Sequence, residues 1–421
     1  MSPSFGYDVL VVGTGVAGLT AATRLAEEGA RVCVIAKGVG STHLAPGTID
    51  ALGYDPQRVE QPARALPGFV EAHPSHPYAL IGTEWIGRAL DWFAARIEGG
   101  PQPGYRYVGG LERNHLLPTA LGSLRPSALV PETMAGGDIR TGTPLCVAGI
   151  GVLRDFHASL CAANLELAGL DGRAIELDVE VGRAEANSVG LARRFDQPEF
   201  RAAFAAKLRP LLRGEERVAL PAILGLRDPH GAWSDLERRL ERPVFEIPTL
   251  PPSAPGMRLY DALRAALRGA GGRHVIGAEA VGAERSGERV SAVRAHTSGH
   301  DTLYTARWVV LATGGFASGG LELGADWQTR ETILGVPLRG VPAAGEPRFA
   351  AGYFDRQPMA RAGVAVDSSL LAQGTDNVFV AGASLPGAEP WREGSGEGIA
   401  LASGHRVAQA VLERERVKTP A

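Results

Sequence analysis

The sequence predicts a doubly wound α/β fold, a Rossmann-like nucleotide-binding domain interrupted by an inserted mixed α/β cap. Three observations point there: a strand, glycine turn, helix and strand at the N-terminus; two later apolar strands that each run into a glycine loop; and a length of 421 residues. Single cores stop growing near roughly 250–300 residues. Two domains with a ligand at their junction are therefore expected.

Tyr7 to Val12, YDVLVV, is a β-branched and apolar run, Thr14 to Ala26 carries small and apolar residues at helical spacing, and RVCVIA resumes a buried strand. The order is βαβ. Within GTGVAG, Gly13 allows the tight turn, Gly15 lets backbone approach a pyrophosphate and Gly18 lets the helix pack on the strand. Ala17 belongs to the same helix N-terminus, which faces the phosphates. An acid that bonds the adenosine ribose is expected roughly 20 residues after the glycines. Ala36 and Lys37 stand there instead. A cation at that point is compatible with NADP and its 2′-phosphate, with a flavin held differently, or with a shortened nucleotide.

Two distant segments favour flavin. ARWVVLATGGFASGG is an apolar strand that runs into Thr313, Gly314 and Gly315, preceded by a β-ribbon over HVIGAEAVGAERSGERVSAVRAHT. NVFVAGASLPGAEPWREGSGEGIALASGHRVAQAVL then gives a strand, a glycine-rich loop and a long helix starting near Gly398. The Gly394–Gly398 loop, with Gly396 and Gly398, brings backbone N–H groups to a flavin pyrimidine, where negative charge develops on reduction. This order resembles that of the two-dinucleotide-binding-domain flavoproteins, which commonly carry Gly-Asp after the last strand, where this chain has Gly382, Ala383 and Ser384.

Composition excludes several other classes. A net charge of −3 with 45% hydrophobic and 21% charged residues describes an ordinary globular chain with no electrostatic reason to bind nucleic acid. Cys33, Cys146 and Cys161 form no CxxC, which argues against a disulfide framework, a zinc site or an iron–sulfur site, so no metal ligands are expected. No apolar run reaches the length of a membrane span and no leader precedes the first strand. The expected location is the cytoplasm.

KGVGSTHLAPGTIDALG, HPYALIG, PTALGSLRPS, VAGIGVLRDFHASLCAANL, LPAILGL, IPTLPPSAPGMRL, VVLATGGFASGGL and ILGVPLRG follow one another along nearly the whole chain. In these stretches the sequence resembles the B subunits of anaerobic glycerol-3-phosphate dehydrogenase, within the wider group of fumarate-reductase-like flavoproteins. The resemblance implies a flavin, usually attributed as FMN, where the glycine motif argues for FAD. It also implies a flavin-containing A subunit and an iron–sulfur C subunit as partners, a phosphorylated substrate, and a place at the inner face of the membrane reached only through the complex. Relatives likewise lack the strand-end acid, so Lys37 is expected to touch the flavin nucleotide. In the similar fumarate reductase and succinate dehydrogenase flavoproteins a histidine in a comparable stretch is bonded to the flavin, and His43 is expected to contact the ring here.

Oxidising a secondary alcohol next to a phosphate needs a hydride acceptor, a base and cations for the phosphate. Arg125 in GSLRPS, Arg258 in PGMRL and Arg339 in VPLRG stand in glycine- and proline-flanked turns, where an anion is easily held. Each is a weak catalytic candidate beside His43, with a carboxylate pair or a solvated turn as the alternative. His157 reads as a core or interface histidine. No histidine, arginine and acid share one compact motif, which suits a subunit that relays electrons. Two other readings stay open: a self-contained flavin dehydrogenase or reductase for another small anion, and an assembly subunit without flavin. The expected layout is a flavin-binding domain from 1–55, 270–320 and 350–421, a loop-rich segment 56–139 over the flavin, and an α/β cap at 140–255 with PTLPPSAPG as its return linker.

Overall fold

The structure, a computed structural model, describes residues 6–142, 144–183 and 186–418. Tyr7–Val12 buries Val9, Leu10, Val11 and Val12 in succession. A strand buried on both faces belongs inside a parallel sheet. Its neighbours are Val32–Ala36 on one side and the second half of His300–Leu311 on the other. Arg273–Ile276 extends the sheet beyond Val32–Ala36, and Val378–Val380 extends it beyond His300–Leu311. Widely separated segments thus complete one parallel sheet, as the sequence order implies. The first half of His300–Leu311 pairs antiparallel with Arg289–Thr297, which pairs with Glu279–Ser286. HVI, expected within this ribbon, is instead a strand of the parallel sheet, because Gly277, at φ 82, turns the chain before Glu279.

The helix Val16–Glu27 packs against Ala254–Gly269 and against the C-terminal helix Gly396–Lys418. Ser253 starts Ala254–Gly269 by accepting the Gly256 N–H at 3.0 Å, so PTLPPSAPG runs directly into this helix. The segment expected to be loop-rich contains the helices Pro62–Ala72, Pro77–Ile81 and Glu84–Glu98. The last of these buries Ile86, Ala89, Leu90, Phe93 and Ile97, a helical stripe, against Gly396–Lys418.

A second sheet has its own core around Val147, Ile150, Phe195, Phe204, Leu220 and Phe245. Its order is Gly172–Leu177, Leu145–Ile150, Arg217–Pro221, Val244–Ile247, and every pairing is parallel. The cap is therefore an α/β unit built on a parallel sheet. Helices such as Ala158–Leu167 and Pro229–Leu240 link its consecutive strands, and such crossovers return the chain in the same direction. A buried ion pair ties the two cores: Arg258, on Ala254–Gly269, meets Glu246, on Val244–Ile247.

Candidate functional site

The strands of the larger sheet deliver glycine-bearing loops from their C-terminal ends, where ligands of open α/β sheets bind. Gly13 has φ 114, and a Cβ on it would lie 2.2 Å from the Ala312 carbonyl oxygen, so no other residue fits this turn. A Cβ on Gly18 would lie 2.1 Å from the Gly13 oxygen, which is the close helix–strand contact expected from the motif. Gly15 differs, since nothing lies within 4 Å of its Cβ position. No side chain caps the helix it begins. The first-turn N–H groups, including that of Ala17, therefore retain donor capacity toward open space.

The other loops close on this turn. The Thr313 and Ser384 hydroxyls are 3.4 Å apart, and Ser384 also donates to the Gly314 carbonyl at 3.1 Å. A Cβ on Gly315 would lie 3.2 Å from the Ala383 oxygen, and one on Gly382 2.9 Å from the Ala17 Cβ. The Gly382 N–H donates to Ser403 on the C-terminal helix at 2.8 Å. At that helix's start a Cβ on Gly398 would collide with the Tyr78 hydroxyl at 2.4 Å, while the Gly398 N–H donates to the Asp50 carbonyl at 3.0 Å. Gly396 lies two residues earlier, at the first position of the helix, with Pro390 beside it.

Beside this helix start is a charged cluster. Asp50 is buried, and its carboxylate accepts from Ser127 at 2.6 Å, from Thr48 at 3.1 Å and from the Arg125 Nε at 2.7 Å. A second contact runs from Arg125 Nη2 to Asp50. Burial raises the neighbouring Glu397 carboxyl to about 7; the Asp50 charge pushes the same way and Arg125 opposes it. Neither Asp50 nor Glu397 was expected from the sequence. An acid inside the apolar, glycine-rich TIDALG was the available signal for the first.

A second group surrounds the Gly13–Gly15 turn. The Thr14 hydroxyl is 2.7 Å from His274 Nε2, and Tyr260 stands between the His274 and His43 rings, at 6.3 and 4.8 Å. His43 Nε2 and the Tyr260 hydroxyl are buried without hydrogen-bond partners. Burial lowers the His43 pKa below its ordinary value, favouring the neutral ring. Buried polar atoms normally find partners, so an unpaired pair beside an uncapped helix N-terminus marks a place for a polar ligand.

The structure also reassigns several cations. Arg258 is fully buried, with both Nη atoms on Glu246 at 2.7 and 2.9 Å and Nε on the Gly225 carbonyl at 2.8 Å. Its guanidinium is enclosed by the core and cannot hold a substrate phosphate. Lys37 forms an exposed pair with Glu279 at 2.8 Å. Arg339 is exposed on a short pairing with Gly363, whose strand packs on the loop following Gly382. Arg125 lies beside the converging loops, already bound to Asp50. His157 is exposed, just ahead of Ala158–Leu167, rather than in a core.

The uncapped helix N-terminus, the glycine cradle and the unpaired His43 and Tyr260 atoms fit a dinucleotide such as FAD. Comparison with known proteins gives the same answer. The FAD binding domain family matches residues 8–399. The B subunit of the anaerobic glycerol-3-phosphate dehydrogenase of Pectobacterium atrosepticum is 33% identical over 97% of this chain and 99% of its own. The B subunit from Yersinia enterocolitica is 31% identical over 98% of this chain and 99% of its own. A probable B subunit from Halobacterium salinarum is 31% identical over 96% and 98%. The chain carries the FAD-binding fold and belongs to the family of anaerobic glycerol-3-phosphate dehydrogenase B subunits.

Proposed function

We propose that this chain is the flavoprotein subunit of a quinone-linked anaerobic glycerol-3-phosphate dehydrogenase and relays electrons to an iron–sulfur partner. The observation that carries the reading is the end-to-end correspondence with relatives of that name, 96% or more of this chain and 98% or more of theirs. When bound, FAD supplies a two-electron acceptor that also passes single electrons. The residues proposed to hold it are Gly13, Gly15, Ala17 and Gly18 at the pyrophosphate, Thr313, Gly314, Gly315, Gly382 and Ala383 along the crevice, and Gly396 and Gly398 at the pyrimidine. His43 is proposed to touch the ring.

Two observations favour relay over a self-contained dehydrogenase. Of the three arginines suited to a phosphate, Arg125 and Arg258 are bound to Asp50 and Glu246, and Arg339 stands exposed on its pairing with Gly363. Cys33, Cys146 and Cys161 are buried and free on three separate elements, so an iron–sulfur cluster is assigned to a partner. Among the described residues no helix is long and apolar enough to cross a membrane. Contact with the inner face of the membrane is accordingly proposed to run through the assembly.

The test is anaerobic addition of glycerol 3-phosphate to the purified chain, followed by addition of the other subunits. The relay reading expects the flavin to stay oxidised until the partners arrive. Bleaching by substrate alone makes the chain a complete dehydrogenase and refutes the relay.

A further inference from the structure

Five large aromatic side chains stand exposed on the segment after the glycine loops and on the turn before the C-terminal helix. Trp327 is 57% exposed, Phe349 55%, Tyr353 86%, Phe354 80% and Trp391 59%. They belong to one surface. The Arg348 guanidinium donates to the Trp327 carbonyl at 2.8 and 3.1 Å, and an open groove of about 430 Å³ is lined by Trp327 and Phe349 together with Gly345, Glu346 and Arg348. Tyr353 and Phe354 meet edge to face at 5.2 Å. Arg392 donates to the Phe354 carbonyl and lies 4.8 Å over the Trp391 ring, joining the loop to the far side of the patch.

The display is built rather than loose. The Gln357 amide donates to the carbonyls of Gly352, Tyr353 and Asp355 at 2.9, 3.3 and 3.2 Å and accepts the Ala350 N–H at 2.9 Å. Asp355 accepts the Gly352 N–H at 3.1 Å. Trp327 holds φ 59, a backbone state in which a bulky residue is a rare outlier and glycine would be comfortable. Retaining a tryptophan there, exposed and strained, indicates a use for its ring outside this chain.

At these exposures the five side chains present on the order of 650 Å² of aromatic surface, taking roughly 200 Å² for each. The largest apolar patch on an ordinary monomer is about 300–600 Å², and one side of a stable protein interface is about 800 Å². Trp, Tyr, Phe and Arg around a groove is the composition of an interface centre. The charges argue against a lipid surface: Arg330 is paired with Asp326 at 2.5 Å, Arg392 with Glu389 at 3.4 Å, and Glu346 and Asp355 stand among Arg348 and Arg356. This mixture is not the cluster of unopposed basic residues that draws anionic lipid.

We propose that this aromatic surface is where the chain docks a protein subunit of its own assembly, one that inserts an apolar side chain into the Trp327–Phe349 groove. The inference rests on the multi-subunit reading implied by the relatives' names. It is tested on the assembly isolated from its host through a tag on this chain, by hydroxyl-radical footprinting of the assembled and the free chain. Trp327, Phe349, Tyr353, Phe354 and Trp391 are expected to be labelled in the free chain and protected in the assembly. The variants Phe354→Ser and Trp391→Ser are expected to keep the thermal midpoint and the flavin while weakening assembly by on the order of 30-fold each. An intact assembly with these residues still labelled overturns the surface but leaves the complex standing. A chain that remains monomeric in the extract overturns both. Protection of the purified chain by self-association, or by vesicles of phosphatidylcholine and phosphatidylserine, overturns it in favour of a second copy or a membrane.

Discussion

Replacing Arg258 by methionine isolates the ion pair that joins the two cores. Arg258 and Glu246 are 0% and 1% exposed, and the guanidinium supplies two of the hydrogen bonds on that carboxylate and the one on the Gly225 carbonyl. In Arg258→Met, Glu246 keeps only the Thr133 hydroxyl and the Leu224 N–H, at 2.7 and 2.8 Å. Removing one partner of a buried pair leaves an uncompensated charge and costs about 3–5 kcal/mol. Methionine fills much of the volume, so the loss is electrostatic rather than a cavity. The second change Glu246→Gln removes that charge, and the double variant is expected to recover part of the loss. Urea unfolding with flavin retained provides the measurement. A loss below about 1 kcal/mol refutes the argument. Unchanged stability with loss of anion binding would return Arg258 to the substrate.

The second and third glycines of the motif are expected to fail differently. Gly18→Val drives a Cβ into the Gly13 carbonyl and should cost about 1–3 kcal/mol or more of stability. Gly15→Val projects into open space, so the fold should stay within about 0.5 kcal/mol while bound flavin absorbance is lost; equal stability losses would contradict this. Glu397 holds its proton more tightly folded than unfolded, from its ordinary 4.5 to about 7. Stability should therefore fall as pH rises through that window, by at most on the order of 3 kcal/mol, and Glu397→Gln should lack the fall. Parallel pH curves of unfolding midpoint would refute it. Acid precipitation should release all the flavin, and His43→Ala should weaken its retention by about tenfold through the loss of one hydrogen bond. A coloured pellet would show a covalent link instead.

The nucleotide half of the fold was legible because its signals are local. YDVLVV, GTGVAG and RVCVIA each declare a strand or turn within a few residues, and parallel pairing with Val309–Leu311 follows from their burial on both faces. Amphipathic Glu84–Glu98 was legible in principle, but the turns around it masked a stripe whose partner, the C-terminal helix, is distant in sequence. The parallel cap sheet was half visible, since Arg217–Pro221 and Val244–Ile247 are too short to distinguish from loop on periodicity. Side-chain roles were least legible. Arg125 meets Asp50 across 75 residues and Lys37 meets Glu279 across 242, pairings that only the assembled fold decides. A turn flanked by glycine and proline says that an arginine has room for an anion, while burial says whether that anion is a ligand or a glutamate.

Whether the converging glycine loops hold FAD is read most directly from the absorbance spectrum of the purified chain, with mass analysis of what it releases. A yellow protein that releases FAD is expected. Release of FMN, or a colourless chain that takes up no added FAD, would contradict the assignment of those loops.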